Sequence, residues 1–263
     1  MVAEEVSREF QMDYIYFDTF AAILWLITLI ILRKKLPLIF SFIGVTFYYF
    51  IDFVIWHEWR KTRHTTGPVK PALLMLWVST LPGVVHPSWA ILMLEYTFPK
   101  RNCPIKSLED RTRYRILWTL YFFGVQTIPA FMQNGFSWDN RTVTITRTMT
   151  GNRWLMLLSV VLGYSYLTWR KIPPKVLLKL FFIGFVTEGM FEFALYISGI
   201  RPTRLDVLLV DSAVEFNVGM PWIFLMWRWT ISPQMRPFYD PKYTLPCFNP
   251  KHIEEDEPWQ TIN

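Results

Sequence analysis

The chain has 263 residues, of which 52% are hydrophobic, 18% aromatic and only 18% charged, with a formal net charge of +6. The charged share lies below the roughly 25% of soluble domains, and the charges gather between long apolar runs instead of opposite them, which argues against an amphipathic soluble fold. The basic residues stand in short clusters at the ends of those runs, with no soluble domain around them. A nucleic-acid partner is therefore set aside, and the clusters read as signals of orientation in a membrane.

The segment before the first apolar run carries Glu4, Glu5, Glu9 and Asp13. That is the wrong sign for the start of a cleavable signal, so the first helix is expected to stay in the protein. Segments at about 15–33, 37–58, 72–98, 113–133, 154–170, 176–199 and 206–229 are each long enough to cross a bilayer core of about 30 Å at about 1.5 Å per residue. The expected fold is all-α: a polytopic transmembrane bundle of about seven helices over residues 1–231, followed by a Pro-rich cytoplasmic tail over 232–263.

Arg33, Lys34 and Lys35 follow the first helix, and a basic link from Lys100 to Arg115 follows the third. Arg170, Lys171 and Lys175 follow the fifth, and Arg228 and Arg236 accompany the end of the seventh. All these links fall on one side, which the positive-inside rule makes cytoplasmic, with the N-terminus outside and the C-terminus inside. The exception is Arg60, Lys61, Arg63 and Lys70 on the expected outer side. Asn140-Arg141-Thr142 is a glycosylation sequon on that same side. The alternation from Thr142 to Thr146 beside it suits a short external hairpin. The membrane is expected to be the endoplasmic reticulum in a eukaryote and the cytoplasmic membrane in a bacterium. Cys103 and Cys247 stand in no metal-binding or redox spacing and read as free thiols.

Ionisable residues inside apolar segments are costly and mark functional sites. Glu188 and Glu192 share one face of the sixth helix, and Asp211 and Glu215 share one face of the seventh. The link between these helices is short, so they are antiparallel neighbours. Counting inward at about 1.5 Å per residue puts Glu192 about 10 Å and Asp211 about 8 Å deep, with Glu188 about 16 Å and Glu215 about 14 Å deep. Four carboxylates at matched levels require either that some stay protonated or that a cation joins them, a metal or Arg201 and Arg204.

Asn217 lies half a turn from Glu215, and Gly219 and Pro221 loosen the helix there. Asp52, His57 and Glu58 end the second helix, His86 sits between Pro82 and Pro87 in the third, and Gln126 and Pro129 mark the fourth. All of these are expected to converge on one cavity open to the outer side. The bland reading stands beside each: His57, Glu58 and Asp18 as interfacial groups, His86 as the filling of a kink, and each carboxyl as a bond between helices.

The last two helices resemble those of the integral-membrane sterol isomerases of the emopamil-binding-protein family. The resemblance rests on Glu192 before Leu195-Tyr196, and on Asn217 followed by Pro221 and Trp222, whose order departs from the isomerase pattern. In size and helix count the chain is also similar to small membrane-bound terpene cyclases of fungal meroterpenoid pathways. Both likenesses imply protonation of a hydrocarbon substrate by membrane-embedded acids.

The leading expectation is thus a membrane enzyme acting on a lipid or isoprenoid by acid/base chemistry. Glu188, Glu192, Asp211 and Glu215 would be catalytic, and Asn217, His86, Asp52 and Trp222 would bind substrate. No cofactor is expected, since phosphate-binding loops and a retinal lysine are missing; a metal-dependent lipid enzyme, with His57, His86 and the acids as ligands, ranks third because the sequence has no His-x-x-x-His spacing. The partners expected are membrane lipids and a hydrophobic small molecule, and the oligomeric state is left open. Two other classes remain: a proton- or cation-coupled transporter or channel, and a non-catalytic subunit or receptor-like protein.

Overall fold

A computed structural model describes residues 5–98, 108–148, 150–201 and 205–230. The tail over 232–263, Cys103, Cys247 and Arg204 lie outside the described residues.

Helices dominate. Helix α1 (Met12–Ile31) follows strand β1 (Glu5–Gln11), and α2 (Lys35–Tyr49) runs on into a π-helical stretch, Phe50–Trp59. Strand β2 (Arg63–Thr66), α3 (Pro71–Thr97), α4 (Leu108–Met132), strand β3 (Thr142–Thr148), α5 (Thr150–Trp169) and α6 (Pro174–Ile197) come next. The last segment is broken into α7 (Leu205–Val214), a 3₁₀ turn at Phe216–Val218 and α8 (Met220–Thr230). The break falls where Gly219 and Pro221 were expected to loosen the helix, since proline cannot donate the backbone bond an unbroken helix would need. Helical ends lie within a few residues of those read from hydropathy, apart from the earlier starts of α4 and α5.

Four of these helical stretches, Met12–Ile31, Lys35–Trp59, Pro174–Ile197 and Leu208–Thr230, are long and apolar enough to cross a membrane. The central helix is α3, where every residue from Leu81 to Leu94 is buried. It meets α2 at closest range through two glycines. A Cβ on Gly44 would fall within 3.0 Å of the Gly83 carbonyl, and one on Gly83 within 3.0 Å of the Val45 backbone. Small residues at such a crossing let two helical backbones touch. Ser41 ties the same crossing by donating to the Val84 carbonyl at 2.8 Å.

The three strands are an addition to the all-α expectation. They form one antiparallel sheet in the order β1-β3-β2, so the stretch expected as a local hairpin is instead the central strand between two distant segments. The sheet covers the end of the bundle where α1 begins, α2 ends and α4 hands over to α5. Its β1 edge reaches the link after α6, where the Glu9 N–H donates to the Ile200 carbonyl at 3.2 Å. Asp13, buried at the first turn of α1, accepts the Trp138 and Asp139 N–H groups at 2.9 and 3.0 Å and pins the loop that leads into β3. Beneath the sheet lies a core of Phe10, Met12, Ile15, Val143, Ile145 and Leu195.

Candidate functional site

In a strand alternate side chains share a face. Val143, Ile145 and Arg147 are the buried positions of β3, and Val6 and Phe10 are those of β1, the parity that Arg8 also occupies. In β2 the buried residue is Arg63. Each strand therefore carries one arginine in the position where a sheet usually places an apolar residue. Register sets Arg63 directly opposite Arg147, and Arg8 opposite Ile145. Like charges opposed across strands are destabilising unless acids answer them.

The acids come from the helices below. Arg63 Nη1 lies 2.6 Å from Asp52 Oδ1, and Ser79 donates to the other oxygen of Asp52 at 3.3 Å. Arg147 Nη1 lies 2.9 Å from Glu215 Oε1, with its Nη2 4.0 Å from Asp211. Arg8 Nη2 reaches Glu192 Oε1 at 3.0 Å, and its guanidinium sits 5.1 Å over the Phe191 ring. Arg201, in the link after α6, binds the other oxygen of Glu192 and lies 3.5 Å from Asp211, so one guanidinium bridges α6 and α7. Arg153, on α5, adds a contact to Asp211 at 3.3 Å.

Crowding shows in the basicity of these arginines. Burial, and then the nearby Arg147, push Arg8 down to about 10. Burial likewise lowers Arg63 and, more strongly, Arg201. Arg147 is also penalised by burial, but Glu215 and Asp211 outweigh that and hold it above the ordinary arginine value.

Between sheet and helices is a cavity of about 70 Å³. Its ionisable wall consists of Arg8, Arg63 and Arg147 from the strands, and of Asp18, Asp52, His86, Glu188 and Glu215 with the hydroxyls of Tyr14 and Tyr48 from the helices. His86 is wholly buried and packs edge-on against Phe122, Phe191 and Phe216 at 5.4–5.9 Å between ring centroids. Its Nδ1 stands 3.0 Å from the Tyr48 hydroxyl and 3.8 Å from Glu188 Oε2. The Nε2 atom is buried with no hydrogen-bond partner among the described residues.

The acids of this cluster thus fall into two kinds. Asp52, Glu192, Asp211 and Glu215 each have an arginine within 4.0 Å. Asp18 and Glu188, buried on the cavity wall, have none among the described residues. Carboxylate oxygens of Glu188, Glu192 and Glu215 lie within 4.8 Å of one another, a spacing that a metal ion could bridge. Arginines already supply the positive charge that such a set needs.

No family model matches this chain, and neither the curated proteins nor the solved structures offer a match.

Of the eight residues expected to serve the site, Glu188, Glu215, His86 and Asp52 line the cavity, while Glu192 and Asp211 sit just behind it as partners of Arg201. Asn217 is buried elsewhere. It accepts from Tyr164 at 2.7 Å and donates to the Phe181 and Ala213 carbonyls, joining α5, α6 and the broken helix. Trp222 lies away from the cavity, 47% exposed and stacked on Tyr166. His57 also lies off the wall, its Nδ1 2.9 Å from the Arg63 carbonyl, where it steadies β2. Gln126 is buried in α4 outside the cavity.

Arg201 is one of the two cations anticipated for the acids. Arg8, Arg63, Arg147 and the burial of Asp18 were not. A signal for the arginines did exist, since Arg147 has the parity of Val143 and Ile145, and Arg63 belongs to the cluster on the wrong side for the charge rule.

Proposed function

We propose that this chain is a seven-span membrane protein with its N-terminus outside and its C-terminus inside, and that it is an enzyme acting on a lipid or isoprenoid by carboxyl-mediated proton transfer. The coarse part rests on the four apolar helices and on the rows of exposed apolar side chains along α1, α2 and α5, such as Phe20, Ile31, Phe42, Phe47, Leu158 and Leu162. The strands supply an argument for topology. Paired segments must share a side, so an even number of spans separates β1 from β2 and β2 from β3, as two and two would. Charged links then fall inside, and the exceptional Arg63 is accounted for as a counter-ion turned inward.

The chemistry rests on a single observation. Glu188 lines the cavity with a histidine as its neighbour and no arginine within 4.0 Å among the described residues, whereas Glu192, Asp211 and Glu215 are held by arginines. A carboxylate locked in an arginine fork is a poor proton carrier, because the cation favours its charged form. Glu188, with His86 and Tyr48 behind it, is free to take or give a proton, and the other three acids hold the strands in place. The ring faces of Phe191 and Phe216 beside His86 suit a substrate that develops positive charge. Only the reacting end of a long molecule fits the cavity, and the rest would lie along the apolar helices. The many charged groups on the wall also favour a second reading, a proton- or cation-coupled transporter using the same Glu188 as its relay.

The test is the lipid composition of cells expressing the protein. Expression should raise one lipid species at the expense of an isomer of equal mass, and Glu188→Gln should abolish the change while inserting normally. Glu192→Gln should instead destabilise the fold. An unchanged lipid profile with wild type, or an equal change with Glu188→Gln, would sink the enzyme reading.

A further inference from the structure

Each strand arginine commits only part of its guanidinium to an acid. Arg8 gives Nη2 to Glu192, while Arg63 and Arg147 give Nη1 to Asp52 and Glu215. A guanidinium carries its N–H donors in a fixed fork, so some are left over. Arg8 Nε, Arg63 Nε and Arg147 Nη2 are buried with no hydrogen-bond partner among the described residues, and all three side chains line the cavity. Arg63 and Arg147 are themselves only 9% exposed. On the helix wall the unmet groups are acceptors. Asp18, buried in the second turn of α1, is met by the Tyr14 hydroxyl, but its Oδ1 has no partner among the described residues. Glu188 has no arginine within 4.0 Å among those residues. Buried donors and acceptors without partners are costly, and a ligand that meets both walls relieves both.

We propose that the cavity is a binding site for the carboxyl head group of a long-chain fatty acid, with its oxygens on the spare N–H groups of Arg8, Arg63 and Arg147 and its proton shared with the acids of the helix wall. This rests on the reading above that a lipid places its reacting end in the cavity, and it names that end. Size comes first. A cavity of about 70 Å³ has room for about two waters at about 30 Å³ each, or for one head group of a carbon and two oxygens. Chemistry narrows the choice further. An ammonium head would set a cation among the strand arginines, and an ester offers acceptors alone. A phosphate would bring up to two negative charges beside Asp18 and Glu188. A carboxylic acid has an oxygen that accepts from guanidinium groups and an O–H that donates to a carboxylate oxygen. Taken up with its proton, it adds no net charge to the buried cluster. The alkyl chain then lies along the exposed apolar faces of the helices, where Phe20, Phe42 and Phe47 already meet lipid.

Binding to the purified full chain in phosphatidylcholine nanodiscs tests this, with oleic acid isotope-labelled at its carboxyl carbon as the probe. Carbon NMR should show a second carboxyl resonance that empty nanodiscs lack, and native mass spectrometry should find one oleic acid per chain. Methyl oleate, oleylamine and acetate, each at the same concentration, should fail to displace it. Arg63→Lys keeps a cation opposite Asp52 but has no Nε–H, and it should weaken oleic acid binding by about 10-fold or more. No second resonance with wild type overturns the inference, as does equal affinity in a folded Arg63→Lys. Displacement by oleylamine or methyl oleate shows that the site does not read a carboxyl, and displacement by acetate shows that it does not need the chain; either result overturns it too. The competition arms use wild type alone and so do not depend on how the variant folds. Failure here and failure of the enzyme reading are separable. Oleic acid binding with an unchanged cellular lipid profile sinks the enzyme reading alone, and a changed profile without oleic acid binding sinks this inference alone.

Discussion

Replacing Arg147 by methionine removes the cation at the centre of the sheet while keeping most of its apolar bulk. Glu215 loses the partner 2.9 Å away, and Asp211 loses one at 4.0 Å but keeps Arg153 and Arg201. The side chains of Arg147 and Glu215 are only 10% and 16% exposed, so solvent screens the loss weakly. Breaking one partner of a buried pair costs about 3–5 kcal/mol, because the remaining charge has nowhere to go. For a chain of this size that corresponds to a fall in melting temperature of about 6–20 °C. Glu215→Gln alone should cost less, about 1–3 kcal/mol, since Arg147 retains Asp211. The double variant carries no stranded charge and should be more stable than Arg147→Met by about 2 kcal/mol or more. Thermal unfolding in detergent, followed by tryptophan fluorescence, measures all three. A melting temperature for Arg147→Met within error of wild type, or strictly additive effects in the double variant, would refute the idea that this pair is a buried clasp.

Two further outcomes are expected. A Cβ on Gly184 would fall within 3 Å of the Asn217 side chain, so Gly184→Ala should lower the melting temperature, whereas Trp222→Ala at the exposed stack should leave it nearly unchanged; equal effects would contradict the packing. The loop ion pair gives a pH test. Arg141 holds the Asp139 carboxyl below its ordinary value, so the stability it contributes is present above the unfolded value and is lost as pH falls through the folded one. Carboxyl NMR should show Asp139 titrating abnormally low, and Arg141→Ala should restore an ordinary value; no shift in the variant would remove Arg141 as the cause.

Much of this architecture could be read from hydropathy alone. Runs of apolar residues about twenty long have few ways to fold, and the ends of α1, α3, α6 and α8 follow from where charge resumes. The face shared by Glu188 and Glu192 followed from helical periodicity, and their proximity to Asp211 and Glu215 from the short link between α6 and α7. Residues on distant strands were illegible for a physical reason. Pairing of β1 with β3 depends on a partner more than 130 positions away, and nothing local in Glu5–Gln11 announces it. Arg8 is flanked by acidic residues, and nothing beside it marks it as a partner of Glu192. Asn217 and Trp222 failed in the opposite way, for each has the composition of a site residue but a place set by neighbours, Tyr164 and Phe181 for one and Tyr166 for the other. Asp18 is buried although it lies early in its helix, because counting from the start of a helix measures depth only when nothing covers that end, and here the sheet does.

The sheet also sets an order in time. Synthesis runs from the N-terminus, so Arg8, Arg63 and Arg147 all exist before Glu188, Glu192, Asp211 and Glu215 are made. When β3 joins β1 and β2, three guanidinium groups are gathered with Asp52 as their partner on the first five helices. The last two helices then bring four acids to a surface that already carries the opposite charge. A chain halted after α5 would hold an excess of cations, and one in which β3 failed to pair would ask α6 and α7 to bury their acids with Arg201 as the main relief. The strands thus act as a built-in chaperone for the acidic helices, and defects in them should appear as a failure of α6 and α7 to pack.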